Sequence, residues 1–134
     1  MIYLLDSNVW VALLRGTKPQ VATRFRAAST ADLRVCSVIV AELRYGCARS
    51  AKPAANRAAV DALLAPYPSL PFDDAAVDFF VTIRRHLESL GTPIGPYDLQ
   101  IAAIALAHQC TMVTHNHAEF SRVPALLLED WETP

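Results

Sequence analysis

Four acidic residues, Asp6, Glu42, Asp98 and Glu119, stand in apolar or uncharged stretches where a lone charge is costly. Asp6 ends the run Ile2-Tyr3-Leu4-Leu5, Glu42 interrupts Val38-Ile39-Val40-Ala41 and Leu43, and Asp98 opens a stretch from Leu99 to Ala107 broken only by Gln100. An ionised carboxylate in such surroundings needs a cation, several hydrogen-bond donors or a raised pKa. Several of them converging on one point indicate a hard divalent cation, because Mg2+ and Mn2+ prefer oxygen ligands. Three or four carboxylates around one or two such ions suit phosphodiester hydrolysis. The metal lowers the pKa of a bound water, and a second ion about 4 Å away can hold the leaving oxygen. No separate nucleophile is then required, and none is evident: the chain has no G-x-S-x-G and no Cys paired with an obvious His.

Each acid also has a bland reading. Asp6 could cap a helix, Glu42 could form a helix salt bridge, Asp98 could be a first-turn partner of a helix dipole, and Glu119 could be a surface residue. The string His115-Asn116-His117 reads as loop, not as an HNH nuclease, whose residues are spread over a larger metal fold. A phosphatase with an Asp nucleophile would want a second acid at position 8, where Asn8 stands.

The elements that would position these groups alternate between strand and helix. Residues 2–5 form an apolar run suited to a buried strand, and Ser7 or Asn8 can cap a helix over 9–14 that stops at Gly16. A second strand is expected at 33–36, with Ser37 as the N-cap of a helix over 38–49. A further helix spans 53–64, opening on Pro53. The proline-rich run 66–71 reads as a connector. Asp73 or Asp74 can cap a long helix over 75–90, and a rigid loop at 91–96 leads to a helix over about 97–108 that is apolar nearly all round and hence central. Strands are expected at 112–114 and 126–128, with loop and short helix over 115–123. This alternation predicts a mostly parallel sheet covered on both faces, with its site beyond the carboxyl ends of the strands, where strand order reverses.

At 134 residues and 53% hydrophobic content the chain is expected to be one globular domain over 1–134, able to bury a core without disulfides. Cys36, Cys47 and Cys110 are odd in number and lack C-x-x-C spacing, so they read as buried free thiols of a reducing cytosol. Neither a signal peptide nor a run of membrane-spanning length is present, so a soluble, cytoplasmic protein is expected. The net charge of −1 is unevenly placed. Nine basic residues against Asp32 and Glu42 give 15–57 a balance of +7, whereas three basic against ten acidic residues give 58–134 a balance of −7. That asymmetry suits a basic wall for phosphates beside an acidic metal site.

Four strings together point further. Leu5-Asp6-Ser7-Asn8, Ser37 with Glu42-Leu43-Arg44-Tyr45-Gly46, Pro96-Tyr97-Asp98-Leu99-Gln100-Ile101-Ala102 and Val113-Thr114-His115-Asn116 resemble the PIN-domain ribonucleases, specifically the VapC toxins of type II toxin–antitoxin systems. The tail, Glu119-Phe120-Ser121-Arg122-Val123-Pro124 followed by Leu128-Glu129-Asp130-Trp131, is similar to the enteric-type branch. The resemblance covers nearly the whole chain. It implies a PIN-like three-layer α/β/α fold and an Mg2+- or Mn2+-dependent endoribonuclease that inhibits translation and is silenced by a VapB-type antitoxin. Some members cut the anticodon loop of initiator tRNA, which makes tRNA a plausible RNA substrate here, and a homodimer within a larger toxin–antitoxin assembly is the implied form. By position, Asp6, Glu42 and Asp98 match the family's three core acids. The fourth place lies open: Asn116 stands where many PIN domains carry an acid, and Glu119, three residues later, is the candidate to supply the charge. Ser7, Asn8, Thr114 and Asn116 would hold waters or orient the carboxylates. The rival from another class is a PIN module that only binds RNA or protein.

Overall fold

The computed structural model of the chain describes residues 1–133. Its frame is a five-stranded, all-parallel sheet of β1 (Tyr3–Leu5), β2 (Leu33–Cys36), β3 (Ser69–Leu70), β4 (Thr111–Val113) and β5 (Leu128–Glu129), in the order β3-β2-β1-β4-β5. β1 lies at the centre because its residues are apolar on both faces. Leu4 and Leu5 are fully buried, as are Met112 and Val113 of β4 beside them. From β1 the chain steps outward through β2 to β3, then crosses back to β4 and on to β5. The sheet therefore reverses order between β1 and β4, and their carboxyl ends flank the crevice where such folds place a site.

Seven helices cover the sheet: α1 (Ser7–Arg15), α2 (Pro19–Ala27), α3 (Ser37–Ala48), α4 (Pro53–Leu64), α5 (Asp74–Ser89), α6 (Pro96–Ala107) and α7 (His117–Phe120). Right-handed crossovers put α1 to α4 on one face and α5 to α7 on the other. In keeping with this, α1 packs on α2, α3 and α4, and α6 packs on α5 and α7. The central position expected for the apolar helix is borne out: Leu99 and Ile101 to Ala105 of α6 are all buried. Small residues, Ala102, Ala103 and Ala105, are among those it buries, and α5 packs on this helix. On the other face Trp10 is fully buried, donates its indole N–H to the Leu5 carbonyl at 3.0 Å, and packs against Phe25 and Tyr67.

The structure differs from the sequence reading at several points. Residues 17–32 carried no expected element, yet α2 forms there, opening on Pro19 and burying only Val21 among polar neighbours such as Arg24 and Arg26. The connector 66–71 contains the edge strand β3, whose flanking prolines are tolerated because an outermost strand pairs on one side only; Pro68 accepts from Val35 N at 3.1 Å. The last strand starts at Leu128 and not at residue 126. Neither Ser7 nor Asn8 caps α1: Asp6 does, accepting from Ser7 N at 2.8 Å. Ser37 is likewise the first residue of α3, preceded by Cys36 without a side-chain cap.

Asp73 does cap α5, accepting from Ala76 N at 3.1 Å. Because this bond satisfies one of the orphan amides at the start of the helix on which α6 leans, Asp73→Ala should destabilise the fold by about 1 kcal/mol. That corresponds to a drop of about 3–5 °C in melting temperature for a chain of this size. Circular dichroism melts check it; an unchanged melting temperature would mean that water replaces the cap at no cost.

Candidate metal and phosphodiester site

Asp6 directly follows β1, where the sheet has just reversed order, and it is 8% exposed. Its backbone amide donates to Val113 O at 2.9 Å, which stitches the ends of β1 and β4 together. Its side chain is held on both oxygens: Oδ1 accepts from Ser7 N and Oδ2 accepts from the Thr114 hydroxyl, each at 2.8 Å. Thr114, 1% exposed, accepts in turn from Asn116 N at 3.0 Å. Burial pushes the Asp6 carboxyl above the usual carboxylate range even though these two donors pull it down. Helix capping and a place in the site are therefore two uses of one residue.

Glu42, one and a half turns into α3, swings its half-buried carboxylate to the same edge, where Ser7 Oγ donates to Oε2 at 3.1 Å. Its other oxygen, Oε1, is buried without a protein partner. Burial raises its pKa, the Ser7 bond lowers it, and the Asp6 charge raises it further. Asp98, in the first turn of α6, is pushed up to about 8, first by burial, then by a hydrogen-bonded contact with Glu119 and by the charges of Asp6, Glu119 and Glu42. All four expected acids thus share one field. Asn116 lies with them: its side-chain amide points at Asp98 Oδ2, 3.4 Å away, so it is a donor to the cluster while Glu119 brings the charge. Asn8 is exposed and makes no side-chain hydrogen bond to the acids among the described residues.

The donor set fits a hard divalent cation. It is all oxygen, it carries an orphaned carboxylate oxygen, and among the described residues no Lys or Arg forms an ion pair with Asp6, Glu42, Asp98 or Glu119. The acids stand too far apart for three of their oxygens to lie within 4.8 Å of one another, so they would hold a cation partly through water. A thiol does not compete: the Cys36 sulfur is pushed up to about 12, chiefly by burial, with Glu42 and Asp6 adding to it. The one tight group of ligand-type atoms among the described residues is elsewhere, at His115, Asp130 and Glu132. There His115 Nδ1 lies 2.9 Å from Asp130 Oδ2, and Lys18 lies 3.1 Å from Glu132. The sequence reading left His115 in a loop and gave the tail acids no role, since nothing in their spacing signals that the tail folds back onto the loop after β4.

A family model, PIN domain, matches residues 3–126. The chain is 33% identical to the ribonuclease VapC2 of Rickettsia felis, over 98% of this chain and 99% of that protein. The chain belongs to the VapC branch of the PIN-domain family. It is equally 33% identical to the tRNA(fMet)-specific endonuclease VapC of Salmonella typhimurium, over 96% of this chain and 97% of that one. The DNA-bound VapBC crystal structure from Salmonella typhimurium superposes with a TM-score of 0.91 at 32% identity, covering 98% of both chains. The α/β expectation is borne out, with the sheet of this PIN domain parallel throughout.

The raised Asp98 pKa has a consequence for stability. An unfolded Asp releases its proton near pH 4, whereas the folded group holds it to about pH 8, so the native state binds the extra proton between those values. The contribution of Asp98 is fully present below about pH 4 and is lost as pH rises through the folded pKa. Asp98→Asn, which removes the charge at nearly constant shape, should therefore raise the melting temperature of the metal-free protein relative to the parent. The gain should grow steadily from acid to mildly alkaline pH. Paired melts in chelator across that range check it, and a difference that stays flat with pH would show that the cluster exerts no such field.

Proposed function

We propose that this chain is a metal-dependent endoribonuclease acting as the toxin of a VapB–VapC-type module, inhibiting translation by cutting RNA of the tRNA class. Initiator tRNA, cut in its anticodon loop, is the favoured target; the likeness to the tRNA(fMet)-specific endonuclease VapC of Salmonella typhimurium supports the choice of tRNA. The observation that carries the chemistry is the cluster of Asp6, Glu42, Asp98 and Glu119 at the sheet's switch point, none of them in an ion pair with Lys or Arg among the described residues. Asp6 and Asp98, with Glu42 and Glu119 around them, would hold Mg2+ or Mn2+. When bound, the ion would supply positive charge to the phosphodiester and lower the pKa of an attacking water.

The chain's own groups do the rest. Ser7 orients two acids at once, Glu42 through its hydroxyl and Asp6 through its amide. Thr114 and Asn116 form a relay from Asp98 to Asp6, with Asn116 bridging through its side-chain and backbone N–H groups. Burial and the neighbouring Glu119 hold the Asp98 carboxyl above the usual carboxylate range, and a bound cation would compete with its proton. The single domain over 1–134, the cytoplasmic location, the VapB-type antitoxin and a homodimer inside a larger complex belong to this same reading. It is supported by the likeness to VapBC complexes; among the described residues no helix is long and apolar enough to cross a membrane.

Expression of the parent chain in bacteria should arrest growth with translation halted, and Asp6→Ala, Glu42→Ala or Asp98→Ala should relieve the arrest while soluble protein persists. In vitro, Mg2+-dependent cleavage of initiator tRNA should fall by about 100-fold or more in each variant. Sequencing of RNA ends after brief induction identifies the cut. Arrest and cleavage that survive in all three variants would remove the carboxylates from the active centre.

A further inference from the structure

Glu42 sits on a divide between two open grooves of opposite character. On one flank a groove of about 650 Å3 is floored by Val38 and Ala41 and walled by Tyr45 and Tyr97, with Glu42 at its edge. Both rings are solvent-facing, Tyr45 at 68% and Tyr97 at 64% exposure, the latter only one residue before Asp98. On the other flank a groove of about 470 Å3 runs past Ser7, Asn8 and Glu42 between Arg15, in the last turn of α1, and Arg49, at the end of α3. Both arginines are exposed, and neither forms an ion pair among the described residues, unlike Arg24, Arg44, Arg57 and Arg84. The Arg49 guanidinium also lies over the Tyr45 ring, 5.5 Å from its centre, which links the two flanks.

Gly46 adds an independent observation. It lies within α3, where glycine weakens a helix. Its backbone is not in the left-handed region, and an added Cβ would meet nothing within 4 Å. Neither backbone geometry nor packing requires glycine there. What its missing side chain leaves open is the arginine-walled groove that it lines.

We propose that these grooves form an unpaired-RNA track that passes Glu42, in which Arg15 and Arg49 hold backbone phosphates on one flank and Tyr45 and Tyr97 stack unpaired bases on the other. The proposal rests on the ribonuclease reading above and adds to it the residues that would grip an unpaired segment. Every base offers a face to a tyrosine ring, whereas a duplex keeps its bases stacked within the helix and presents only phosphate. The exposed cations match the polyanion, and the aromatic side supplies contact where a second run of phosphates would be repelled by Glu42 and Asp98.

The test uses the full chain carrying Asp6→Asn, so that RNA is bound and not cut. The probes are a short fluorescein-labelled single-stranded RNA and the same strand annealed to its complement, followed by anisotropy in Mg2+. The single strand should bind more tightly than the duplex. Tyr45→Ala and Tyr97→Ala should each weaken it by about tenfold. Arg15→Gln and Arg49→Gln should each lower the slope of log affinity against log salt by about 0.7. Gly46→Leu should raise the melting temperature yet weaken single-strand binding, a combination that damage to the fold does not produce. Equal binding of duplex and single strand, or tyrosine variants that bind like the parent, would overturn the track. So would variants that bind RNA normally but change self-association in sedimentation, which would make this face a protein contact. Cleavage by the otherwise unaltered chain separates the two readings. If it cuts RNA while the tyrosine and arginine variants keep both KM and affinity, the track alone is wrong; if it cuts no RNA in Mg2+, the ribonuclease reading is wrong.

Discussion

The Asp6 carboxylate clasps the two strands between which the sheet reverses. Its amide bonds to the end of β4, one oxygen caps α1 and the other takes the hydroxyl of Thr114 just past β4. A charge this deeply buried would ordinarily be costly, and two good donors compensate only part of that cost, as its raised pKa shows. Glu42, Asp98 and Glu119 are brought into the same field, and among the described residues none of the four acids forms an ion pair with a Lys or Arg. The fold therefore crowds acidic groups at its switch point, and a divalent cation is a chemical species suited to relieve their repulsion.

The rest of the architecture serves to hold that repulsion in place. The four clustered acids come from a strand end and three different helices, so each is fixed by a separate part of the core. The buried indole of Trp10, bonded to the Leu5 carbonyl, locks the backbone just before Asp6. The buried helix α6, packed on α5, carries Asp98 in its first turn. Structural rigidity is what lets like charges remain close, since a loose scaffold would relax by moving them apart into water.

Much of this was legible along the chain because it is written in local pattern. An apolar strand ending in Asp6, a helix apolar all round opening on Asp98, and an acid inside an otherwise apolar helix all follow from period and polarity, and the parallel sheet follows from their alternation. What stayed hidden depends on contacts across the fold. Ser7 reaches Glu42 over 35 residues, and Asn116 proves to be a donor to Asp98 in place of an acid. The helix α2 buries only Val21, too little to print an amphipathic stripe, although Pro19 marks its start. The strand β3 is two residues long and flanked by prolines, so its identity comes from the neighbour that it pairs with and not from its own composition. The cluster of His115, Asp130 and Glu132 arises only because the tail folds back onto the loop after β4.

That cluster also provides the sharpest comparison. Its three ligand-type atoms lie within 4.8 Å of one another, which no three of the four carboxylates do, but it includes an exposed imidazole, and Lys18 already contacts Glu132. The most direct measurement is the anomalous difference density of crystals grown with Mn2+. A peak at the carboxyl ends of β1 and α6's start, within bonding distance of Asp6 or Asp98 and with Glu42 turned toward it, is the predicted result. Density confined to His115, Asp130 and Glu132, or no bound Mn2+ while the four acids stay clustered, would contradict the claim that the buried charge exists to hold a metal.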